Sequence, residues 1–322
     1  MSLLGIDLGG TKLALAIFDE NGTIIFKDSF ALENRGGSQV GKFITEKTCK
    51  FMRYAELQGS KIKSIGISVP GISNIKTGTV WAPNISDWTE YPLLQEMEKI
   101  TDSIPVTIDS DRACYILGEV WKGNARGCRD AIFLSVGTGI GAGILVNGEI
   151  LRGSHDIAGC IGWMALKGPF ENKYSNCGCF EFYASGEGIA KVVREFLIDK
   201  DDYSGELRKT DIEKITSYDV FKAYGNGDLL AVKVIQICVE FWGMAIANLV
   251  SLFNPEKIIV GGGLFGPAIT LIPAIKNEAA RWAQPVGINQ VSIDISGLGS
   301  DAGVYGAGFL AHNHLNDINI SK

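Results

Sequence analysis

The sequence predicts an α/β protein of two homologous lobes with a cleft between them. Three observations carry that expectation. A chain of 322 residues is too long for one ordinary core and suits two domains of roughly 150 residues each. Short apolar β-type runs alternate with segments of helical spacing. A composite pattern also occurs twice: strand, glycine turn with a threonine, strand, then an Asn-Gly turn.

The first copy is Leu4–Leu8, then Gly9-Gly10-Thr11, Leu13–Phe18 and Asn21-Gly22. The second is Ala131–Val136, then Gly137-Thr138-Gly139, Ala142–Val146 and Asn147-Gly148. Asn-Gly between two β-type runs is the strongest short-range hairpin signal. The agreement in both order and spacing is what argues for a duplicated lobe. After the first hairpin, Val40–Gln58 has helical spacing, and Lys63–Val69 is a β-run ending at Pro70-Gly71. A helix is predicted over Asp111–Lys122. In the second half, Ala184–Leu197 and Asp228–Phe253 read as helices, and Lys257–Val260 as a short buried strand running into Gly261-Gly262-Gly263. The closing segment, Asp301–Ala311, reads as a helix packed through Gly303, Gly306 and Gly308. These readings divide the chain into an N-terminal lobe over 1–113, completed by 303–322, and a C-terminal lobe over 114–302. The polar insert Asp199–Asp228 reads as surface, with no functional assignment.

Composition narrows the function classes. A charged fraction of 20% and a hydrophobic fraction of 46% are those of a folded soluble protein. A net charge of −6 and the lack of a Lys/Arg run exclude a phosphate-backbone binder. The N-terminus carries neither a basic region nor a long apolar core, so no export signal is read. The apolar stretch Val239–Phe253 is broken by Glu240 and Asn248 and reads as a buried helix, giving no membrane partner. The odd cysteine count (Cys49, Cys114, Cys128, Cys160, Cys177, Cys179 and Cys238) fits reduced, buried thiols in the cytoplasm.

Three glycine-rich turns are candidate nucleotide contacts. In Asp7-Leu8-Gly9-Gly10-Thr11-Lys12 a strand delivers a carboxylate, then turns through glycines that let backbone N–H groups approach phosphate oxygens. Asp7 suits Mg²⁺, which prefers one or two carboxylates plus phosphate oxygens. Gly137-Thr138-Gly139 repeats the arrangement, and Gly261-Gly262-Gly263 gives flat backbone for an adenine or ribose. Each alone reads equally as a tight turn. The P-loop spacing is absent.

Taken together, these residues resemble the ROK family of sugar kinases and repressors. The likeness runs through Gly5–Lys12, Gly66–Gly71, Ala82–Trp88, Ser135–Gly143, Ala158-Gly159, Gly178–Glu181, Ala184–Gly186, the triple glycine and Gly299–Gly303. It implies the duplicated actin-like ATPase (ribonuclease H-like) fold, a homodimer, and transfer of the γ-phosphate of ATP to a hexose or N-acetylhexosamine. In Asp109-Ser110-Asp111, eight residues before Glu119 at the helix's acidic end, the resemblance makes Asp111 the general base. Read alone, Asp111 is a helix first-turn charge. Ser110 stands where the family has Asn, and Asp109 is a second carboxylate upstream. Gly71, Asn84 and Glu181 fall on family positions that contact sugar.

The pattern breaks at one motif. Where the family reads Ala-Gly-Glu-Ile-Gly-His, this chain reads Ala158-Gly159-Cys160-Ile161-Gly162-Trp163. Cys160 and Trp163 therefore replace two hydrogen-bonding sugar contacts, and Trp163 is able to stack on a sugar face. The family's structural zinc is not expected, because only Cys179, with Cys177 nearby, survives of its ligands. The leading reading is an ATP- and Mg²⁺-dependent sugar kinase. The alternative is a catalytically weak sugar-binding regulatory protein of the same fold. A DNA-binding repressor is set aside, because the chain opens directly on the phosphate-loop strand.

Overall fold

Two almost continuously buried runs on either side of a Gly-Gly turn make a hairpin of residues 2–18. The computed structural model, which describes residues 2–199 and 203–320, forms it from β1 (Ser2–Leu8) and β2 (Lys12–Phe18). β3 (Ile24–Ala31) extends it antiparallel, and α1 (Gly37–Leu57) covers it with Val40, Ile44 and Phe51. β4 (Ile62–Val69) then joins β1 in parallel. A small hairpin, β5 (Ile72–Asn74) with β6 (Thr79–Trp81), and α2 (Leu93–Thr101) lead to β7 (Val106–Ser110), parallel to β4. α3 (Asp111–Lys122) follows without a linker, because Ser110 caps it by accepting the Ala113 N–H at 3.3 Å.

The second half begins the same way. β8 (Ala131–Val136), β9 (Ile140–Val146) and β10 (Glu149–Ile150) are followed by α4 (Cys179–Ala184), α5 (Gly186–Asp199), α6 (Ser217–Gly225) and α7 (Leu229–Phe253). β11 (Lys257–Gly261), α8 (Ile272–Trp282), α9 (Pro285–Gln290), β12 (Ser292–Ile295) and α10 (Ala302–Ile320) complete the chain. One sheet has the order β3-β2-β1-β4-β7 and the other β10-β9-β8-β11-β12, with the same pattern of antiparallel and parallel neighbours. The repeat read in the sequence is a repeat of sheet topology.

Contacts divide the chain into two units. The first is Met1–Gly127, Ile150–Ala158 and Ser296–Lys322; the second is Cys128–Glu149 and Gly159–Ile295. The sequence reading divides the chain at 113/114. The difference has a physical cause: α3 packs along α10 on the face of the first sheet, so the whole helix stays with that unit. The approach is backbone to backbone, and a Cβ at Gly306 would collide with the Cys114 carbonyl. Of the completing segment 303–322, residues 321 and 322 lie outside the described residues; so do 200–202 of the insert.

Two further differences are local. The predicted helix Ala184–Leu197 is interrupted at Ser185, which is extended and caps α5 by accepting the Gly188 N–H at 3.0 Å. The apolar α7 is long enough to cross a membrane by length and composition. Instead its Phe241, Trp242, Ala245, Ile246 and Leu249 are buried in the core of the second unit. Trp242 Nε1 donates to the Ala184 carbonyl at 3.1 Å, which fixes α4 against it.

Candidate active site

In the first unit, the carboxyl ends of the parallel strands gather the acidic groups. Asp7 is the penultimate residue of β1, and Ser68, its register neighbour on β4, donates from Oγ to Asp7 Oδ1 at 2.7 Å. A Cβ on Gly303, at the start of α10, would lie 2.5 Å from the Asp7 carboxyl atoms, so glycine is what lets that helix close over it. Burial raises the Asp7 pKa, while the Ser68 hydrogen bond and the Lys12 charge oppose the shift. Asp111 opens α3 and accepts the Arg112 N–H at 2.8 Å. Burial pushes its pKa up to about 6; the Arg112 charge opposes this and the Asp7 carboxylate adds to it.

The other predicted groups of this unit lie nearby. The Gly9 N–H closes the turn onto the Lys12 carbonyl at 2.9 Å, leaving Gly10 and Thr11 as the exposed tip. A Cβ on Gly10 would stand 3.7 Å from that of Asn84, so the phosphate turn and the Pro-Asn turn are neighbours. Gly71 holds φ +100 against the Trp81 carbonyl. Asp109 is buried at the end of β7 and forms an ion pair with Arg152, which the sequence reading missed. No local motif marks such a pair, since its partners are far apart in the chain.

In the second unit the Gly137 N–H closes its turn onto Gly139 O at 2.9 Å, with Thr138 at the exposed tip. Gly262 takes φ +95, a region that disfavours side chains, and passes against the Val136 carbonyl. These turns bring Gly137, Thr138 and Gly263 onto one pocket of about 670 Å³, the size of a small-ligand cleft. Gly261, buried at the end of β11, is not among its lining residues. Gly186, Arg194 and the run Glu213–Tyr218 complete the wall. That run belongs to the polar insert Asp199–Asp228, to which the sequence reading assigns no function. A signal was present: Thr216 and Asp219 form the capping box that starts α6.

Glu181, on α4, accepts the Ile140 N–H at 2.6 Å, and its carboxyl lies close to Gly139 and Gly162. Burial raises its pKa, and the Ile140 N–H opposes that. Cys160 stands at the N-cap position of the short turn Ile161–Trp163. Trp163 is 57% exposed and lines a second pocket, of about 440 Å³, with Phe170, Tyr174 and Cys179.

The donor sets decide which cofactors fit. Among the described residues no three His, Cys, Asp or Glu side chains cluster as metal ligands. A closed zinc site needs four, and the residues do not fit one. Mg²⁺ asks less, since substrate phosphates and water supply most of its ligands. The single half-buried carboxylate of Asp7 fits that role. The 670 Å³ pocket, with glycine backbone on one side and the Arg194 and Lys214 side chains on its wall, fits a nucleotide.

Comparison with known proteins bears on this arrangement. The profile of the ROK family matches residues 3–314. A glucokinase of Halalkalibacterium halodurans is 33% identical over 98% of this chain and 96% of its own length. The ROK glucokinase of Streptomyces griseus, solved with glucose and AMPPNP, superposes with TM-score 0.76 at 27% identity, covering 97% of this chain and 100% of that one. A ROK transcriptional regulator, a homologue of the E. coli MLC protein, superposes with TM-score 0.84 at 26% identity, covering 98% and 78%.

Proposed function

This chain belongs to the ROK family, and from that premise we propose that it is an ATP-dependent sugar kinase acting on a hexose or N-acetylhexosamine. Its duplicated five-stranded sheets are the actin-like ATPase fold of that family's kinases. The observation that carries the catalytic assignment is Asp111: a half-buried carboxyl at a strand-to-helix junction, with a pKa raised to about 6 beside Asp7.

A carboxyl of that pKa is ionised at neutral pH yet basic enough to take a proton from an attacking hydroxyl. In the proposed reaction the acceptor oxygen bonds to the γ-phosphorus, the bridging oxygen leaves with ADP, and Asp111 receives the hydroxyl proton. ATP supplies the phosphoryl group, and Mg²⁺ held at Asp7 would neutralise phosphate charge. Gly10, Thr11 and Lys12 of the first turn meet phosphate oxygens, and the pocket of Gly137, Thr138 and Gly263 takes the nucleoside. Asn84, Ser110 and Glu181 orient the sugar, with Gly71 giving close backbone approach. The reading includes a cytoplasmic homodimer.

The test is an ADP-release assay with Mg-ATP over hexoses and N-acetylhexosamines, beside Asp111→Asn. Sugar-dependent turnover that the variant loses supports both the kinase and its base. A second reading rests on Cys160 and Trp163, which replace two sugar-bonding side chains, and on the likeness to a ROK regulator. There the chain binds sugar and signals without turnover. ATP binding with no ADP release on any sugar decides for that second reading.

A further inference from the structure

Asp109 is the most completely buried carboxylate near the proposed base, with a side chain only 3% exposed. It lies two residues before Asp111, and Arg152 meets it with both arms of the guanidinium. Nη1 donates to Oδ1 at 2.7 Å, and Nη2 lies 2.6 Å from Oδ2. Arg152 also sits at the foot of a loop. Its carbonyl accepts the Ala158 N–H at 3.0 Å, closing residues 152–158 into a ring. Gly153 and Asp156 turn that ring with φ of 71° and 57°. Ser154 and His155, at its crest, are exposed.

Such a pair is a poor way to gain stability. A buried ion pair is often replaceable by apolar residues without loss, because desolvation offsets the attraction. Its better attested use is to fix a position, and the planar fork of arginine fixes direction as well as distance. What the pair fixes here is the foot of a polar loop against Asp109, near the carboxyl end of β7 and two residues before Asp111 in the chain. In open α/β sheets that edge is where ligands bind.

We infer that Arg152 is a positioning residue of the acceptor side, its clamp on Asp109 holding the 152–158 loop so that Ser154 and His155 meet the sugar. This deepens the kinase reading and rests on it. The loop brings two exposed hydrogen-bonding side chains, Ser154 and His155, to the acceptor side. Its contribution is to binding of the acceptor, not to the nucleotide and not to proton transfer.

The experiment uses the full chain and the hexose that wild type phosphorylates fastest. Arg152→Met, Arg152→Lys, Ser154→Ala and His155→Ala are compared for both KM values, and sugar binding is titrated in the presence of AMPPNP. For Arg152→Met, acceptor KM and Kd should rise about tenfold or more, with ATP KM held within about twofold, as expected for hydrogen bonds lost on one substrate only. Arg152→Lys, which keeps the charge and loses the fork, should fall between. The two crest variants, exposed and so without effect on folding, should shift in the same direction. Equal changes in both KM values, or unchanged acceptor binding in Ser154→Ala and His155→Ala, overturn the inference even if Arg152→Met does not fold. Retained turnover in Asp111→Asn sinks the base assignment alone. A wild type with no acceptor sinks the kinase reading and this inference with it.

Discussion

Ser68 Oγ hydrogen-bonds Asp7 Oδ1 at 2.7 Å, joining the ends of β1 and β4. Burial drives the Asp7 carboxyl toward its neutral form, and the serine works against that. Ser68→Ala should therefore raise the Asp7 pKa further and weaken its hold on a cation. Apparent KM for Mg²⁺ should rise by about 3- to 10-fold, the scale of one hydrogen bond to a charged group, with acceptor KM unchanged. Mg²⁺ titration of ADP release at constant ATP reads this directly, and an unchanged Mg²⁺ requirement removes Asp7 from the metal's neighbourhood.

Asp111 gives a prediction with two faces. Its folded pKa of about 6 lies above the ordinary value of 3.8, so the folded state binds the proton more tightly than the unfolded chain. The ionised carboxyl thus destabilises the fold above pH 6, and the cost vanishes as pH falls below 3.8, where both states are neutral. Asp111→Asn should lose turnover and also gain thermal stability at pH 7, by on the order of 1–2 kcal/mol. The gain should shrink between pH 6 and 4. Wild-type kcat/KM should fall below pH 6 with unit slope. A variant less stable than wild type at pH 7 contradicts the assigned burial.

The segment between Trp163 and Cys179 should be independent of metal. Tyr174 OH bonds Glu171 at 2.6 Å and the Tyr183 hydroxyl at 2.9 Å, and Lys167 Nζ bonds Tyr183 OH at 3.1 Å. This network stands beside the pocket that Trp163 and Cys179 line. EDTA should leave Tm unchanged, and metal analysis should find zinc well below one per chain. Tyr174→Phe should cost about 1–3 kcal/mol by leaving the buried Tyr183 hydroxyl short of a partner. A chelator-induced drop in Tm overturns the account.

How much of this was legible in the sequence depended on whether the signal was local. Both ends of α3 agree with the helix read over Asp111–Lys122, and the structure shows local features at each, a Ser110 cap and Gly123 after the last turn. The duplicated sheet followed from two glycine turns and two Asn-Gly turns, each a short-range feature. Ala184–Leu197 reads as one unbroken helix, yet Ser185 within it is extended. Its extended backbone follows from bonds to distant chain, with the Gly186 N–H donating to Gly137 O at 2.8 Å. The Glu213–Tyr218 wall and the Arg152–Asp109 clamp were invisible for the same reason: polar insert residues acquire a site only through what the fold sets opposite them.

The nucleotide pocket offers the cleanest separation of folding from binding. Gly262 cannot be tested simply, since φ +95 and the Val136 carbonyl forbid a side chain there whatever its role. Gly263 differs. Nothing lies within 4 Å of the Cβ it lacks, and the residue lines the pocket with Gly137 and Thr138. A side chain added there grows into the pocket and not into the core. Gly263→Leu should therefore leave Tm within about 2 °C of wild type, as for surface substitutions, while ATP KM rises by about tenfold or more as the cleft fills. Acceptor binding measured without nucleotide should not change. Unaltered ATP KM in a variant of normal stability would take the nucleotide out of this pocket, and with it the role proposed for the Glu213–Tyr218 wall.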